Sequence, residues 1–174
     1  MSNFNNLLKP RIVNIENVSL NNTRVTLEPL ERGFGHTLGS ALRRILLSSI
    51  VGSSVTEVSI DGVQHEYSTI EGIQEDVIDI MLNLKGISFK MNGNTSTSLS
   101  LSKSEVGPVL ASDIELKNDI EIINPNHVIA NITKDGASIN MQIVVNEGIG
   151  YSSANQRKDD ANRNVGSLLI DASY

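Results

Sequence analysis

The run Gly33-Phe34-Gly35-His36-Thr37-Leu38-Gly39 is where residue type and spacing come closest to a ligand site. Glycines between a strand and a helix let backbone N–H groups approach a pyrophosphate, and a helix N-terminus adds positive potential there. Glu57 and Asp61 follow roughly 20 residues on, where a dinucleotide fold places its ribose-binding acid. A nucleotide-binding enzyme is therefore one function these residues allow. Two features count against it. The strand before the turn alternates like half of a hairpin, whereas a dinucleotide-binding strand is a continuous buried run, and no βα alternation follows. The plainer reading is preferred: the glycines lead the chain from a loop into a helix.

Other chemistry is sparse. His36, His65 and His127 are far apart and form no helical pair of the kind that holds zinc. Gly39-Ser40-Ala41 lacks the second glycine of a nucleophile elbow. Glu75, Asp76 and Asp79 sit at a helix start, where acids favour the dipole. Asp159 and Asp160 fall in a polar loop. There is no cysteine, hence no disulfide, thiolate site or thiol nucleophile. No catalytic residue, metal site or cofactor is expected.

Charge and composition narrow the partners. The 174 residues carry a formal net charge of −6, and aromatics make up 3%. A nucleic-acid binder needs a concentrated basic surface or a stacking platform. Here only Arg43-Arg44 and Arg157-Lys158 are adjacent basic pairs. Direct DNA binding is not expected. Met1 to Pro10 is polar, without a signal-peptide pattern, and no apolar stretch approaches the roughly 20 residues that span a bilayer. These features point to a soluble protein, and the lack of cysteine fits the expected cytoplasmic location.

The elements that must position these residues are mostly strands. Arg11 to Ser19 and Thr23 to Leu30 alternate around Asn21-Asn22, which predicts a hairpin. Leu38, Ala41, Leu42, Ile45 and Leu46 form one apolar stripe, predicting a helix from Leu38 to Ser49 with Thr37 as its N-cap. Arg44, Leu47 and Ser48 lie off that stripe, either as plain surface or as an interface anchor. Ser54 to Ile60 and Val63 to Tyr67 read as strands joined by Asp61-Gly62. A second helix is predicted from Ile73 to Lys85, with Ile73, Val77, Ile80, Met81 and Leu84 buried and Gly86 as its stop. Hairpins are predicted for Ile87–Met91 with Thr97–Lys103 and for Asp119–Ile123 with His127–Thr133. Ala137 to Val145 alternates after Asp135-Gly136, Ser152 to Asn164 reads as a surface loop, and Val165 to Ala172 is a last apolar run.

The predicted fold is α+β. Residues 1–52 make a hairpin-plus-helix unit, and 53–174 a largely β unit with one helix. Two strands and one helix leave apolar faces uncovered, so the first unit needs more chain or a partner.

The stretch from Val25 to Gly39 followed by Ala41-Leu42-Arg43-Arg44-Ile45-Leu46-Leu47-Ser48-Ser49 closely resembles the signature of bacterial RNA polymerase alpha subunits. His65-Glu66-Tyr67-Ser68-Thr69, Gln74-Glu75-Asp76, Leu82-Asn83-Leu84-Lys85-Gly86, Gly107-Pro108-Val109 and Leu168-Leu169-Ile170-Asp171-Ala172 extend the likeness in order. It implies an amino-terminal assembly region in which a β-rich insert interrupts an α+β dimerisation unit. It also implies that the chain stops at Tyr174 before that unit is complete. The expected partners are a second alpha-type chain, as a homodimer or heterodimer, and the beta and beta-prime subunits. By resemblance Leu38, Leu42, Ile45 and Leu46 belong to the dimerisation helix. Arg44 and Leu47 match positions facing beta, and Lys85 and Ile170 positions facing beta-prime. The 152–164 loop departs most from the family, which weakens any activator contact there.

A third reading is a stand-alone β-rich binding module, which predicts a stable monomer. The enzyme reading differs from both in a quick assay. NAD or ATP raises the melting temperature if the Gly33–Gly39 turn holds a nucleotide, and leaves it unchanged if the chain is a scaffold.

Overall fold

The computed structural model of the protein describes residues 9–19, 22–117, 119–158 and 166–174. The chain divides into two compact units, 1–47 and 48–174. In the first, β1 (Arg11–Ser19) and β2 (Asn22–Glu28) form an antiparallel hairpin. Asn21 of the expected turn lies outside the described residues. The predicted alternation along β1 is reset twice, because Val13 and Val18 are extra residues with no partner on β2.

The first helix, α1 (Phe34–Ser48), begins earlier than Leu38. Gly33 adopts φ +85°, and Phe34 N–H donates to Glu31 O at 3.0 Å. That left-handed residue turns the chain so tightly that helical geometry starts at once. Thr37 is therefore inside the helix and does not cap it.

The second unit is built on an antiparallel sheet, so the whole is an α+β fold dominated by strands. Its elements are β3 (Val51–Ile60), α2 (Val77–Lys85), β4 (Phe89–Met91), β5 (Ser96–Lys103), β6 (Gly107–Leu110) and β7 (Ile114–Glu115). There follow β8 (Ile120–Ile122), β9 (Val128–Ile132), β10 (Ile139–Ile149), β11 (Tyr151–Ser152), β12 (Leu168–Leu169) and β13 (Ala172–Ser173). The main sheet runs β7-β5-β10-β3-β4-β8, with β12 also on β3; β6 pairs β9 and β11 pairs β13. The expected alternation of β10 is real: Ile139, Met141, Ile143 and Val145 are buried, beside Leu99 and Leu101 of β5. Those side chains and Val58 and Ile60 of β3 form the core against which α2 packs Val77, Ile80 and Leu84.

Three predicted hairpins are not formed, although their turns are. No strand follows Asp61-Gly62. The segment 63–67 is irregular, with a bend and turn at 65–67, because β10 takes one edge of β3 while β4 and β12 take the other. The Asn92-Gly93 segment reverses the chain, yet β4 pairs β3 and β8 while β5 pairs β10 and β7. Asn124 O accepts from His127 N–H at 3.1 Å, but β8 goes to β4 and β9 to β6.

α2 starts at Val77, four residues after Ile73. Ile73 bridges Ile132, and both Glu75 oxygens accept from Asn131, from its N–H and its amide, each at 2.7 Å. This stretch is tied to β9 and is not free to coil. Asp76 then caps the helix, accepting from Asp79 N–H at 2.8 Å.

At the other end Gly86 stops the helix as expected, but as a right-handed C-cap, φ −77°, so no positive φ calls for glycine there. Its glycine has a different cause. A Cβ there would lie 2.7 Å from the His127 ring, whose Nε2 donates to Asn83 O at 2.8 Å and satisfies a helix-end carbonyl. Gly86→Ala is therefore expected to cost about 1–3 kcal/mol by overpacking. In urea unfolding, that penalty should largely vanish on a His127→Ala background. An equal penalty on both backgrounds would remove the imidazole as its cause.

Candidate partner-binding surfaces

α1 has no buried residue. Leu42, Ile45, Leu46 and Leu47 are 43%, 54%, 60% and 65% exposed, Leu38 is half-buried and Arg44 is exposed. Arg44 and Leu47, three residues apart, share one face of the helix. The glycine-rich run offers no loop for a phosphate, since Gly35 and Gly39 are helical residues of α1. The strand before it, β2, pairs only with β1 among the described strands.

The histidines are dispersed. His36 lies in α1, His65 Nδ1 pairs with Ser68 Oγ at 3.1 Å, and His127 caps α2. Among the described residues no three His, Asp or Glu side chains gather as metal ligands.

Lys85 and Ile170 are brought together. Both line a groove of about 240 Å³ between α2 and the 168–171 segment. Ile78, Met81 and Leu82 form the α2 wall, with Leu169, Ile170 and Asp171 opposite. Ile170 is only 2% exposed, so Leu169 and Leu82 offer the accessible apolar surface. Met81, expected in the buried stripe, is half-buried and faces this groove. A second cavity of about 340 Å³ adjoins it, lined by Lys158, Ser167 and Leu168 among others. Glu66, Met81 and Leu169 line both.

Two residues outside the predicted set hold the groove's wall. Arg157, expected in a solvated loop, is half-buried in a 3-10 turn at Ala154–Arg157. Its Nη1 donates to Thr56 O at 3.1 Å, and its Nη2 donates to Ile170 O. Asp171 accepts from Ala154 N–H at 2.7 Å and from the Tyr151 hydroxyl at 2.9 Å. Those two bonds, the first above all, hold its pKa below the ordinary carboxylate value. Burial opposes them, and the charges of Lys85 and Arg157 assist. In return the Tyr151 pKa is raised, chiefly by its bond to Asp171. The remainder of the expected loop, from Asp159 to Asn164, lies outside the described residues. A sequence signal for the α2 wall did exist: six of its nine residues are apolar and they cover more of the helix than its core-facing side. None pointed to Arg157.

Residues 58–174 match the family model described as the RNA polymerase Rpb3/RpoA insert domain. Every residue of the groove falls within that match. The bonds to Asp171 give it a testable pH signature. Its folded pKa is depressed, so its stabilisation is complete above the unfolded value of about 3.9 and is lost as pH falls through the folded value. Asp171→Asn should therefore unfold at lower denaturant than the parent at pH 7, with the gap closing below about pH 4. A gap unchanged in acid would mean that the charge of Asp171 contributes nothing.

Proposed function

The chain belongs to the RNA polymerase Rpb3/RpoA insert-domain family, and from that premise we propose that it works as a bacterial-type alpha subunit, a non-catalytic scaffold for polymerase assembly. It is a subunit of DNA-directed RNA polymerase, of the alpha/Rpb3 type, and so takes part in transcription. In this reading it dimerises with a second alpha-type chain through Leu38, Leu42, Ile45 and Leu46. Arg44 and Leu47 then meet the beta subunit, and the groove around Lys85 and Ile170 meets beta-prime. Catalysis belongs to those large subunits, and this chain needs no cofactor, membrane or DNA contact of its own. The protein would reside in the cytoplasm, at the nucleoid through the polymerase.

One observation carries the reading. A 15-residue helix keeps Leu42, Ile45 and Leu46 of its apolar stripe exposed, with Leu47 exposed off the stripe beside an arginine. Scattered exposed leucines are ordinary, but a helical-period stripe of them calls for a covering partner. Arginine among apolar neighbours is the composition of an interface hot spot. Permanent interfaces of this kind bury about 2,000 Å² or more in total.

The test is retention of the same genome's beta subunit on the immobilised chain. Arg44→Ala should weaken it by about 2 kcal/mol, roughly thirtyfold, with the variant still folded. Equal retention by parent and variant would remove Arg44 from the interface, and no retention by the parent would sink the scaffold reading.

A further inference from the structure

β6 and β9 form a two-stranded ribbon apart from the main sheet. The outer edge of β9 is taken. Ile73 bridges Ile132, Gln74 N–H donates to Asn131 O at 3.0 Å, and Thr133 N–H donates to Gly72 O at 2.8 Å. That leaves β6 as the free edge of the ribbon, with no other strand beside it among the described residues. A free edge presents main-chain donors and acceptors to which another strand can pair.

Here those groups are filled without a strand. Pro108 has no N–H to offer, and its carbonyl accepts from Lys103 Nζ at 2.9 Å. Two residues on, Leu110 N–H donates to Asp113 Oδ2 at 2.7 Å. The same oxygen accepts from Lys103 Nζ at 2.6 Å, in an ion pair whose side chains are only 20% and 27% exposed. A lysine from the end of β5 and an aspartate from the turn after β6 thus occupy both groups. Burial works to raise the Asp113 pKa. Its bonds to Lys103 and Leu110 N–H, with the lysine's charge, nevertheless hold it below the ordinary carboxylate value, so the pair is charged at neutral pH.

The two filled groups are spaced for one particular intruder. Val109 pairs with Ala130 of β9, and the alternation of the ladder turns the flanking Pro108 carbonyl and Leu110 N–H outward. A second β6, reversed about Val109, would set its own Leu110 N–H against this Pro108 carbonyl. Its Pro108 carbonyl would then meet this Leu110 N–H. Antiparallel strands exchange two bonds in just this way around a non-hydrogen-bonded pair. The strand is therefore complementary to itself, which is the condition for a closed two-fold contact.

We propose that the Lys103–Asp113 pair is an edge guard, which keeps β6 from adding the β6 of a second copy of this chain. The guard belongs to the second unit alone and is independent of the scaffold reading.

The test frees both groups with Lys103→Met and Asp113→Ala together in the full chain, and follows mass by sedimentation. At concentrations where the parent's mass no longer changes, the double variant's should rise to twice that value. Hydrogen exchange at the Leu110 amide should be about tenfold faster in the dilute variant than in the parent, and should slow again as the variant is concentrated. Lost packing alone would speed exchange without that recovery. Asp113→Ala by itself leaves Lys103 on the Pro108 carbonyl, and should need about tenfold more protein to associate. It decides the matter if circular dichroism shows the double variant unfolded. A folded variant that keeps the parent's mass, with exchange at Leu110 independent of concentration, overturns the proposal.

Discussion

The second unit turns on one extra residue in β3. Val144 of β10 faces Glu57 and Val145 faces Val55, which leaves Thr56 without an opposite number. Such a bulge bends its strand and frees backbone groups that need other partners. Thr56 is fully buried, so those partners must come from protein. Its carbonyl accepts from Ile170 N–H at 2.9 Å and from Arg157 at 3.1 Å, and its hydroxyl donates to Val144 O at 3.3 Å. A hydrogen bond from a charged donor contributes about 1.5–3 kcal/mol, more than an ordinary one. Arg157 also holds Ile170 O. One guanidinium thus fastens β3, the 168–171 segment and the 3-10 turn together, and the groove's wall is a consequence.

α2 faces that wall, and its own position is fixed from both ends. Before it, Glu75 is committed to the edge of β9 and Asp76 caps the first turn. Behind it, His127 and Gly86 form a lock in which the missing Cβ makes room for the imidazole that caps Asn83 O. Asn83 adds a bond from its amide to Ile129 O at 2.9 Å. Between these anchors the helix buries Val77, Ile80 and Leu84 at no exposure at all. At about 1.5–3 kcal/mol for each fully buried aliphatic chain, the inner face alone holds it in place. On the outer face Met81 still packs against the core, while Leu82 is 57% exposed.

How much of this was legible in the sequence varied with the range of the interaction. β10 was plain, because Ile139 to Val145 alternate and the reason lies within the strand. Turns were plain too: Gly62 and Gly136 adopt φ near +80°, as Asp-Gly turns require. A turn says only that the chain reverses, however, and sheet order is decided by distant edges. That is why the strands around Asn92-Gly93 and Asn124-Pro125-Asn126 separate to different partners. The start of α2 was misplaced because Glu75 answers to Asn131, 56 residues away. Arg157 was invisible for the same reason, since the carbonyl of Thr56 is 101 residues from it. The outer stripe of α2 could have been read, because Ile78, Met81 and Leu82 repeat at helical spacing.

The two surfaces differ in shape, and shape selects the partner. α1 is a convex rod whose apolar side chains recur every third or fourth residue, a pattern that another helix or a flat sheet can match by ridges and grooves. The groove beside α2 is concave, walled by Ile78, Met81 and Leu82 on one side and by Leu169, Ile170 and Asp171 on the other. Groups that serve the fold inside this unit, above all Thr56 and Arg157, thereby limit what can bind outside it.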